Sequence, residues 1–444
     1  MTEIRFGRQV CGNLAEESAR EWLVADGVGG YAKGTVGGLR IRRYHGLLMV
    51  ATDPPRGRRL ALASLDPVIV LGDNPVRLAV HEWTGSVVAP QGHLLLEWFA
   101  LRDGVPTWRW QIEDVVVERE LAMAHGRAAV GVVMRVIRAP GPVRVELEAL
   151  GTWRDAHAER FGNWEPVVDR LDDGYVFERR YRVRGPGFDP AGAAWYRGVS
   201  HREEAARGLS DREDLFYGGR FGRDLGPGET LEVGAWAGPD LTESAAPPPA
   251  TALVQAARDA VELAARAEPA TRVDRHLAMA ADQFVVAGPA VVAGYPWFGD
   301  WTRDTMTSYE GLFLETGRPD EGRVLLERAA ASLSEGMLAN TPGAGGTEHN
   351  TVDGALWFVH AVGRHVDWTG DLDLAAAMGE PFAGIVRYHL EGTRYGIRAG
   401  ADGLLTQGAE GVAMGTSWSA AARTRGRPSP GDGGPLVVPA PVRS

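Results

Sequence analysis

The spacing of apolar residues in this chain changes once, from the period of a strand to the period of a helix. In residues 143–150 (VRVELEAL), apolar residues alternate with charged ones, which indicates a strand with one buried face. Residues 175–183 (YVFERRYRV) are interpreted in the same way. Beyond about residue 250 apolar residues recur three and four positions apart, as in 354–368. We therefore predict antiparallel sheets packed as a sandwich, followed by helices.

A proline-rich segment separates the two patterns. Residues 244–250 (SAAPPPA) contain three consecutive prolines, which favour a stiff, extended connector. We predict a β-sandwich domain over residues 1–243 and a helical domain over 251–412. Residues 413–444 are rich in Gly, Pro, Ser, Ala and Arg, keep no sustained period, and are predicted to be disordered.

Helix-ending and helix-starting residues divide the second domain into helical hairpins. Gly317 is placed to end one helix and Pro319 to open the next, and Gly370 and Asp371 form a similar pair. The predicted helices cover residues 253–265, 321–335, 354–368 and 372–390.

Composition narrows the kinds of partner. The chain of 444 residues has a net charge of −11 and no basic patch interleaved with aromatics, so nucleic acid is not expected. One cysteine, Cys11, excludes an intrachain disulfide, and no Cys/His spacing resembles a metal site. Neither a metal nor a cofactor is predicted.

The most apolar window, 284–299, is interrupted by Gly and Pro and falls short of the roughly 20 residues that span a bilayer. No secretory signal opens the chain, so no membrane contact and a cytoplasmic location are expected.

Residues 295–305 (YPWFGDWTRDT) have the chemistry of a sugar site. A hexose presents hydroxyl groups at its rim, which carboxylates and guanidinium groups bind, and C–H bonds on its faces, which flat rings cover. Arg303 and Asp304 supply the first kind of group, and Trp297 and Trp301 supply the second. The alternative is a buried aromatic patch with a structural Arg–Asp pair.

This segment resembles the bacterial and archaeal glycogen debranching enzymes of the amylo-α-1,6-glucosidase type, and its WTRD core is also similar to the glucoamylases. Three further stretches resemble the same family in the same order: 21–35 with 42–48, 348–362, and 392–408. The resemblance implies that the helical domain is an (α/α)6 toroid and that the partner is glycogen or a limit dextrin. It also implies that Arg303 and Asp304 hold the terminal glucose, with Trp297, Asp300 and Trp301 around it.

A second group of candidate substrate-binding residues precedes the helix predicted over 354–368. These are Glu348, Asn350 and Asp353. The alternative is helix capping, with Asn350 or Thr351 as the cap and Asp353 favouring the positive end of the helix.

The resemblance also implies residues that this sequence lacks. The family's general acid is expected in a WMDA-like motif shortly after residue 408, and its base much further on. Neither is found, so no catalytic residue is assigned, and the toroid is expected to be incomplete and the chain truncated. A frameshift near residue 412 is our hypothesis for the tail. The expected function is inverting hydrolysis of α-1,6 branch points in the family, with this chain inactive. The alternatives are a non-catalytic α-glucan-binding remnant and a phosphorolytic relative.

A glycine-rich turn at residues 24–34 (VADGVGGYAKG) does not predict a nucleotide site, because a strand follows it where a phosphate-binding loop needs a helix. The resemblance suggests that Trp22, Gly29, Gly30, Tyr31 and the group Arg43, Tyr44 and His45 lie on the sandwich surface that faces the toroid. Arg154, Asp155 and His157 are given the same role, with a structural ion pair as the alternative.

Overall fold

Strands dominate the first part of the chain. A computed structural model describes residues 3–264, 271–341 and 349–406. The strands in these residues are β1 (Glu3–Phe6), β2 (Glu21–Ala25), β3 (Tyr31–Thr35), β4 (Gly46–Asp53), β5 (Arg56–Leu71), β6 (Asn74–Arg77), β7 (Val80–Trp83), β8 (Val87–Gln91), β9 (Leu96–Arg102), β10 (Val105–Ile112), β11 (Val115–Met123), β12 (Ala129–Arg138), β13 (Val143–Asp155), β14 (Val168–Leu171), β15 (Gly174–Phe177), β16 (Tyr181–Arg184), β17 (Ala194–Ser200), β18 (Arg212–Leu225), β19 (Thr230–Ala237), β20 (Val285–Val286), β21 (Ala290–Gly294) and β22 (Phe298–Asp300).

Helices dominate the second part. The α-helices in the described residues are α1 (Leu14–Ser18), α2 (Arg202–Ala206), α3 (Ala250–Ala264), α4 (Arg272–Asp282), α5 (Thr302–Tyr309), α6 (Pro319–Ala331), α7 (Gly354–Thr369), α8 (Leu372–Ala377) and α9 (Gly379–Glu391). A π-helical turn, Glu310–Leu314, continues α5.

Two large antiparallel sheets form the predicted sandwich. One has the order β1-β9-β10-β11-β12-β19-β16-β15-β14, and the other β2-β3-β4-β5-β13-β18-β17-β7-β8, with β6 paired to β5. Both sheets contribute to one apolar core, which includes Trp108, Val117, Val132, Leu62, Leu147 and Phe221. The strand predicted at 143–150 lies within β13, between β5 and β18.

Residues 175–183 form two strands, and the prediction of one strand is wrong. β15 and β16 pair with Phe177 opposite Tyr181. Glu178 and Arg179 between them have φ of 47° and 55°. Two successive residues at positive φ make a tight hairpin turn, usually with Asn or Gly. Because neither is present here, no residue of the sequence indicates the turn.

The predicted helix boundaries in the second part are largely confirmed. Pro319 is the first residue of α6, and Gly370 ends α7 in the left-handed conformation at φ 73°. The side chain of Asp371 caps α8 by accepting from the amide of Leu374 at 2.9 Å. The segment predicted as one helix over 372–390 is instead two, α8 and α9.

The chain divides into two compact units, Met1–Gln283 and Phe284–Ser444. The predicted connector, residues 244–250, ends where α3 begins. In the structure, α3 packs on the first unit: Ala250, Leu253 and Val254 lie in one apolar cluster with Trp236 and Val133. The apolar face of α3 thus covers the outer side of a sheet, which a helical period alone does not reveal.

The second unit has its own core, in which α5 and α7 lie side by side. Met306, Tyr309 and Phe313 share an apolar cluster with Phe358 and Val362. The hydroxyl of Tyr309 is 2.8 Å from Nδ1 of His365.

The β-then-α fold class is confirmed. In the described parts of the chain no helix is both long and apolar enough to cross a bilayer. The tail at 413–444 lies outside the described residues.

Candidate functional site

A short sheet and the helix that follows it position the segment 295–305. Strands β21 and β22 pair through Val292 with Asp300 and Gly294 with Phe298, so Trp297 lies in the turn between them. Asp300 ends β22, and Trp301 is the N-cap of α5. Trp297, Asp300 and Trp301 are all partly exposed. The ring of Trp301 is held edge-on by Phe298, with ring centroids 6.2 Å apart.

Arg303 and Asp304 occupy the first turn of α5. Nη2 of Arg303 is 3.6 Å from Oδ2 of Asp304, and their side chains are 12% and 41% exposed. Nη1 of Arg303 is buried and has no hydrogen-bond partner among the described residues. A guanidinium nitrogen without a partner costs free energy unless a ligand or water accepts its hydrogen bond. The pair is therefore neither fully solvated nor sealed in the core.

Asp353 is close enough to Asp304 for their charges to interact. Burial raises the pKa of Asp304, the neighbouring guanidinium of Arg303 opposes this, and the charge of Asp353 raises the pKa further. Asp353 is buried and is the N-cap residue of α7. The first turn of α5 and the start of α7 thus bring two carboxylates together, where the positive ends of two helices favour them.

Asn340 links these two helix starts, and sequence reasoning missed it. Its backbone carbonyl accepts from the amide of Thr302 at 3.0 Å. Its side-chain Nδ2 donates to Oδ1 of Asn350 at 3.0 Å. Asn340 thereby links Asn350 to the first residue of α5. Asn340 lies between α6 and α7, in a stretch without a motif, so no sequence signal identifies it.

At the start of α7, the capping hydrogen bond is made by Thr351, one of the two candidate caps in the sequence. Its Oγ1 accepts from the amide of Gly354 at 3.0 Å and donates to Oδ1 of Asp353 at 3.2 Å. Asn350 is therefore not the cap, and Asp353 makes no capping bond of its own. Glu348 lies outside the described residues.

Asp300 lines a cavity of about 150 Å³ between β21, α5 and α6. Thr302, Thr305, Arg328 and Ser332 contribute polar groups to its wall. Nη1 of Arg328 donates to the backbone carbonyls of Gly288 and Pro289.

Among the residues that the resemblance places on the surface of the sandwich, His157 is exposed and Asp155 is partly exposed, whereas Trp22, Gly29, Gly30, Tyr31, Arg43, Tyr44 and His45 are buried. Trp22 donates from Nε1 to the carbonyl of Thr35 at 3.0 Å, and the hydroxyl of Tyr31 donates to the carbonyl of Tyr44 at 3.2 Å. Arg43 donates to the carbonyls of His157 and Ser210. Because these polar groups already form hydrogen bonds within the first unit, they stabilise the sandwich.

The structural alternative for Arg154 is the one observed. Arg154 and Arg40 both form ion pairs with Glu213, which is fully buried, and Nε2 of His201 lies 3.0 Å from the same carboxylate. Burial disfavours the charge on Glu213, but the two guanidinium groups outweigh it, so its pKa is well below the ordinary value. Asp155 accepts from the amide of His157 at 2.9 Å.

The glycine-rich turn is a strand-to-strand connection, as predicted. Oδ1 of Asp26 accepts from the amides of Val28 and Gly30, both at 2.9 Å, and β3 follows. In the described parts of the chain, no group of three or more His, Cys, Asp or Glu residues is arranged to hold a metal ion.

Comparison with known proteins agrees with the resemblance in the sequence. The family model for the "Glycogen debranching enzyme N terminal" matches residues 20–232, and the model for "Amylo-alpha-1,6-glucosidase" matches residues 279–441. The glycogen debranching enzyme of Saccharomyces cerevisiae is 34% identical over 84 residues, which are 18% of this chain and 6% of the yeast protein.

Two solved structures are similar at low identity. A human microbiome protein assigned as a kojibiose phosphorylase has 8% identity and a TM-score of 0.45, over 91% of this chain and 61% of that one. A bacterial glucoamylase complexed with acarbose has 10% identity and a TM-score of 0.43, over 87% of this chain and 61% of that one. The chain thus spans about three-fifths of each solved chain. From the two family models, which together cover most of its length, the chain belongs to the glycogen debranching enzyme family, of the amylo-α-1,6-glucosidase type.

Proposed function

We propose that the second unit binds the terminal glucose of an α-glucan branch at Arg303 and Asp304. The observation that carries the proposal is the mostly buried guanidinium of Arg303, whose Nη1 has no hydrogen-bond partner within the described residues. A hydroxyl group of a sugar can accept from that nitrogen while the carboxylate of Asp304 accepts from a neighbouring hydroxyl.

The flanking groups fit the same ligand. Trp297 and Trp301, which precede and follow Asp300 in the sequence, are partly exposed, and indole rings suit the C–H faces of a hexose. Asp353 supplies a further acceptor near Asp304, and Asn350 is linked through Asn340 to the start of α5. The proposed substrate-binding set is Trp297, Asp300, Trp301, Arg303, Asp304, Glu348, Asn350 and Asp353. Within this set Glu348 rests on the family resemblance alone.

Hydrolysis of the α-1,6 bond needs two more carboxyl groups. One protonates the leaving oxygen and the other activates water, and inversion requires them about 6.5–9.5 Å apart. We assign neither role to a described residue, because the motif that the family resemblance implies for the acid is not found in residues 409–444. The proposal is therefore that these 444 residues bind and position a branch end, with inverting hydrolysis as the family reaction and little or none by this chain alone.

Limit dextrin, which is glycogen trimmed by phosphorylase, tests both parts of the proposal. The purified chain is incubated with the dextrin, free glucose is measured, and co-sedimentation with the polymer reports binding. Binding without glucose release is the expected result, and it also fits the second candidate, a non-catalytic α-glucan-binding protein. Glucose release would show that the chain holds its own acid and base. Absence of binding would contradict the α-glucan assignment itself.

A further inference from the structure

A second groove lies entirely within the first unit. It has a volume of about 520 Å³, within the usual range of ligand sites. The groove is lined by the loop between β13 and β14, by the start of β17 and by Phe216 of β18. We name it the Trp164 groove. Among the residues that the structure describes, none of the proposed sugar-binding residues of the second unit lines it.

Two tryptophans form an aromatic corner in the Trp164 groove. Their ring centroids are 5.7 Å apart at 65°, and Nε1 of Trp195 donates to the backbone carbonyl of Trp164 at 2.9 Å. The ring of Trp195 packs against Gly162, where an added Cβ would lie 2.2 Å from the indole. The guanidinium of Arg160 stacks on Trp164 at 4.3 Å. Both rings are thus fixed while partly exposed.

Asp214 holds the loop in place. One of its oxygens accepts from the amide of Gly162 and the other from the amide of Gly198, both at 2.8 Å. Arg197 donates to the carbonyl of Gly162 at 3.0 Å. A groove whose rings and loop are fixed before binding loses little conformational entropy when a ligand enters.

Polar side chains surround the aromatic corner. Asn163, Glu165, Arg170 and Arg197 all line the groove and are exposed. They offer an amide, a carboxylate and two guanidinium groups, which can donate to and accept from hydroxyl groups. The mixture of charges gives no continuous basic track for a polyanion, and the chain carries a net charge of −11. A neutral polyhydroxylated ligand with flat C–H faces matches both kinds of surface.

We propose that the Trp164 groove is a second, non-catalytic binding site for an α-glucan segment of a few glucose units. The choice of an α-glucan rests on the proposed function, because the ring-and-hydroxyl chemistry of the groove alone would also suit another neutral glycan. A polymer held at a second point stays at high effective concentration near the chain, so overall affinity for the polymer exceeds that of either site.

The test compares variants of the full chain in an Arg303→Ala background, which weakens the proposed site of the second unit. Trp164→Ala removes one ring of the groove. Trp368→Ala is the matched control, because this tryptophan is 50% exposed at the far end of α7 from Asp353. Trp195 is left intact because it packs on Phe216 in the core. If Trp164→Ala does not fold, an Asn163→Ala/Arg170→Ala double variant replaces it. Both positions are exposed, and the same loss of affinity for glycogen is expected.

Retardation in native gels that contain glycogen gives the apparent affinity, and hydroxyethyl cellulose replaces glycogen as the β-glucan control. The Arg303→Ala chain should still be retarded by glycogen and not by the cellulose ether. Trp164→Ala should weaken this residual affinity about tenfold or more, and Trp368→Ala should not. Equal retardation with and without Trp164 would overturn the second site and leave the proposed function standing. Retardation by both polymers would overturn the α-glucan assignment of the groove, and no retardation even of the unmutated chain would overturn the proposed function as well.

Discussion

The carboxylate of Asp304, in the first turn of α5, is electrostatically coupled to that of Asp353, at the start of α7. The two residues are far apart in sequence, and the parallel packing of α5 and α7 brings them together. Like charges in such proximity make one carboxylate harder to ionise. We therefore expect sugar binding at the proposed site to depend on pH.

The first prediction concerns that dependence. Burial and Asp353 raise the pKa of Asp304, so binding that uses its carboxylate should weaken as pH falls through the raised value. Asp353→Asn removes one negative charge and should lower the pKa of Asp304, so the loss of binding moves to lower pH. Titration calorimetry with maltoheptaose across pH 4 to 8 measures the midpoint. Asp367→Asn is the control, since Asp367 is 73% exposed on the same helix. An unshifted midpoint in Asp353→Asn would show that the coupling is not functional.

The second prediction concerns the buried charges of the sandwich. Glu213→Gln keeps the side-chain size but leaves Arg40 and Arg154 without their common carboxylate. Removing one partner from a buried ion pair costs about 3–5 kcal/mol, and denaturant unfolding should show a loss of this size. Glu203→Gln is the control because its carboxylate is 40% exposed, and its effect should stay within about 0.5 kcal/mol. A similarly small effect at Glu213 would mean that the cluster does not stabilise the fold.

The third prediction concerns Glu17, which is fully buried in α1. Burial raises the pKa of its carboxyl from 4.5 to about 7. Below pH 4.5 the group is protonated in the folded and unfolded chains alike, so it affects stability little. As pH rises toward 7 the unfolded chain ionises first, and the folded state is increasingly disfavoured.

Glu17→Gln removes that penalty. The variant should match the parent near pH 4 and exceed its stability by about 2–3 kcal/mol at pH 8. Thermal unfolding at both values measures the difference. Glu16→Gln, with a side chain 50% exposed on the same helix, should show no comparable dependence on pH. Equal stabilisation at both pH values would point to packing and not to ionisation.

Sequence patterns predict the strands and helices that depend on local periodicity and capping. They do not predict conformations that depend on contacts between distant residues. Alternation in 143–150 identifies β13, and Pro319 and Asp371 mark helix starts, because strand alternation and caps act over a few residues. The turn at Glu178 and Arg179 was missed because the packed strands, and not a turn residue, impose its conformation.

The same limit applies to the site. The ring-and-charge pattern of 295–305 identifies Trp301, Arg303 and Asp304 as candidates, but their position at the start of α5 is seen only in the structure, because no helix is predicted there. The contribution of Asn340 depends on a hydrogen bond to Asn350 and on the amide of Thr302, which no local pattern encodes. Burial of Trp22 and Tyr44 is not predicted, because a motif shows which residues occur together but not whether their polar atoms already form hydrogen bonds.

The central claim is that Arg303 binds a glucose unit. Calorimetric titration with maltoheptaose tests it most directly when the Arg303→Ala chain and its parent both carry Trp164→Ala, which removes the proposed second site. Loss of a hydrogen bond from a charged group costs about 1.5–3 kcal/mol, so affinity should fall about 10- to 100-fold. Arg387→Ala, which removes an exposed guanidinium from α9, should bind as the parent does. Unchanged affinity in Arg303→Ala would contradict the account.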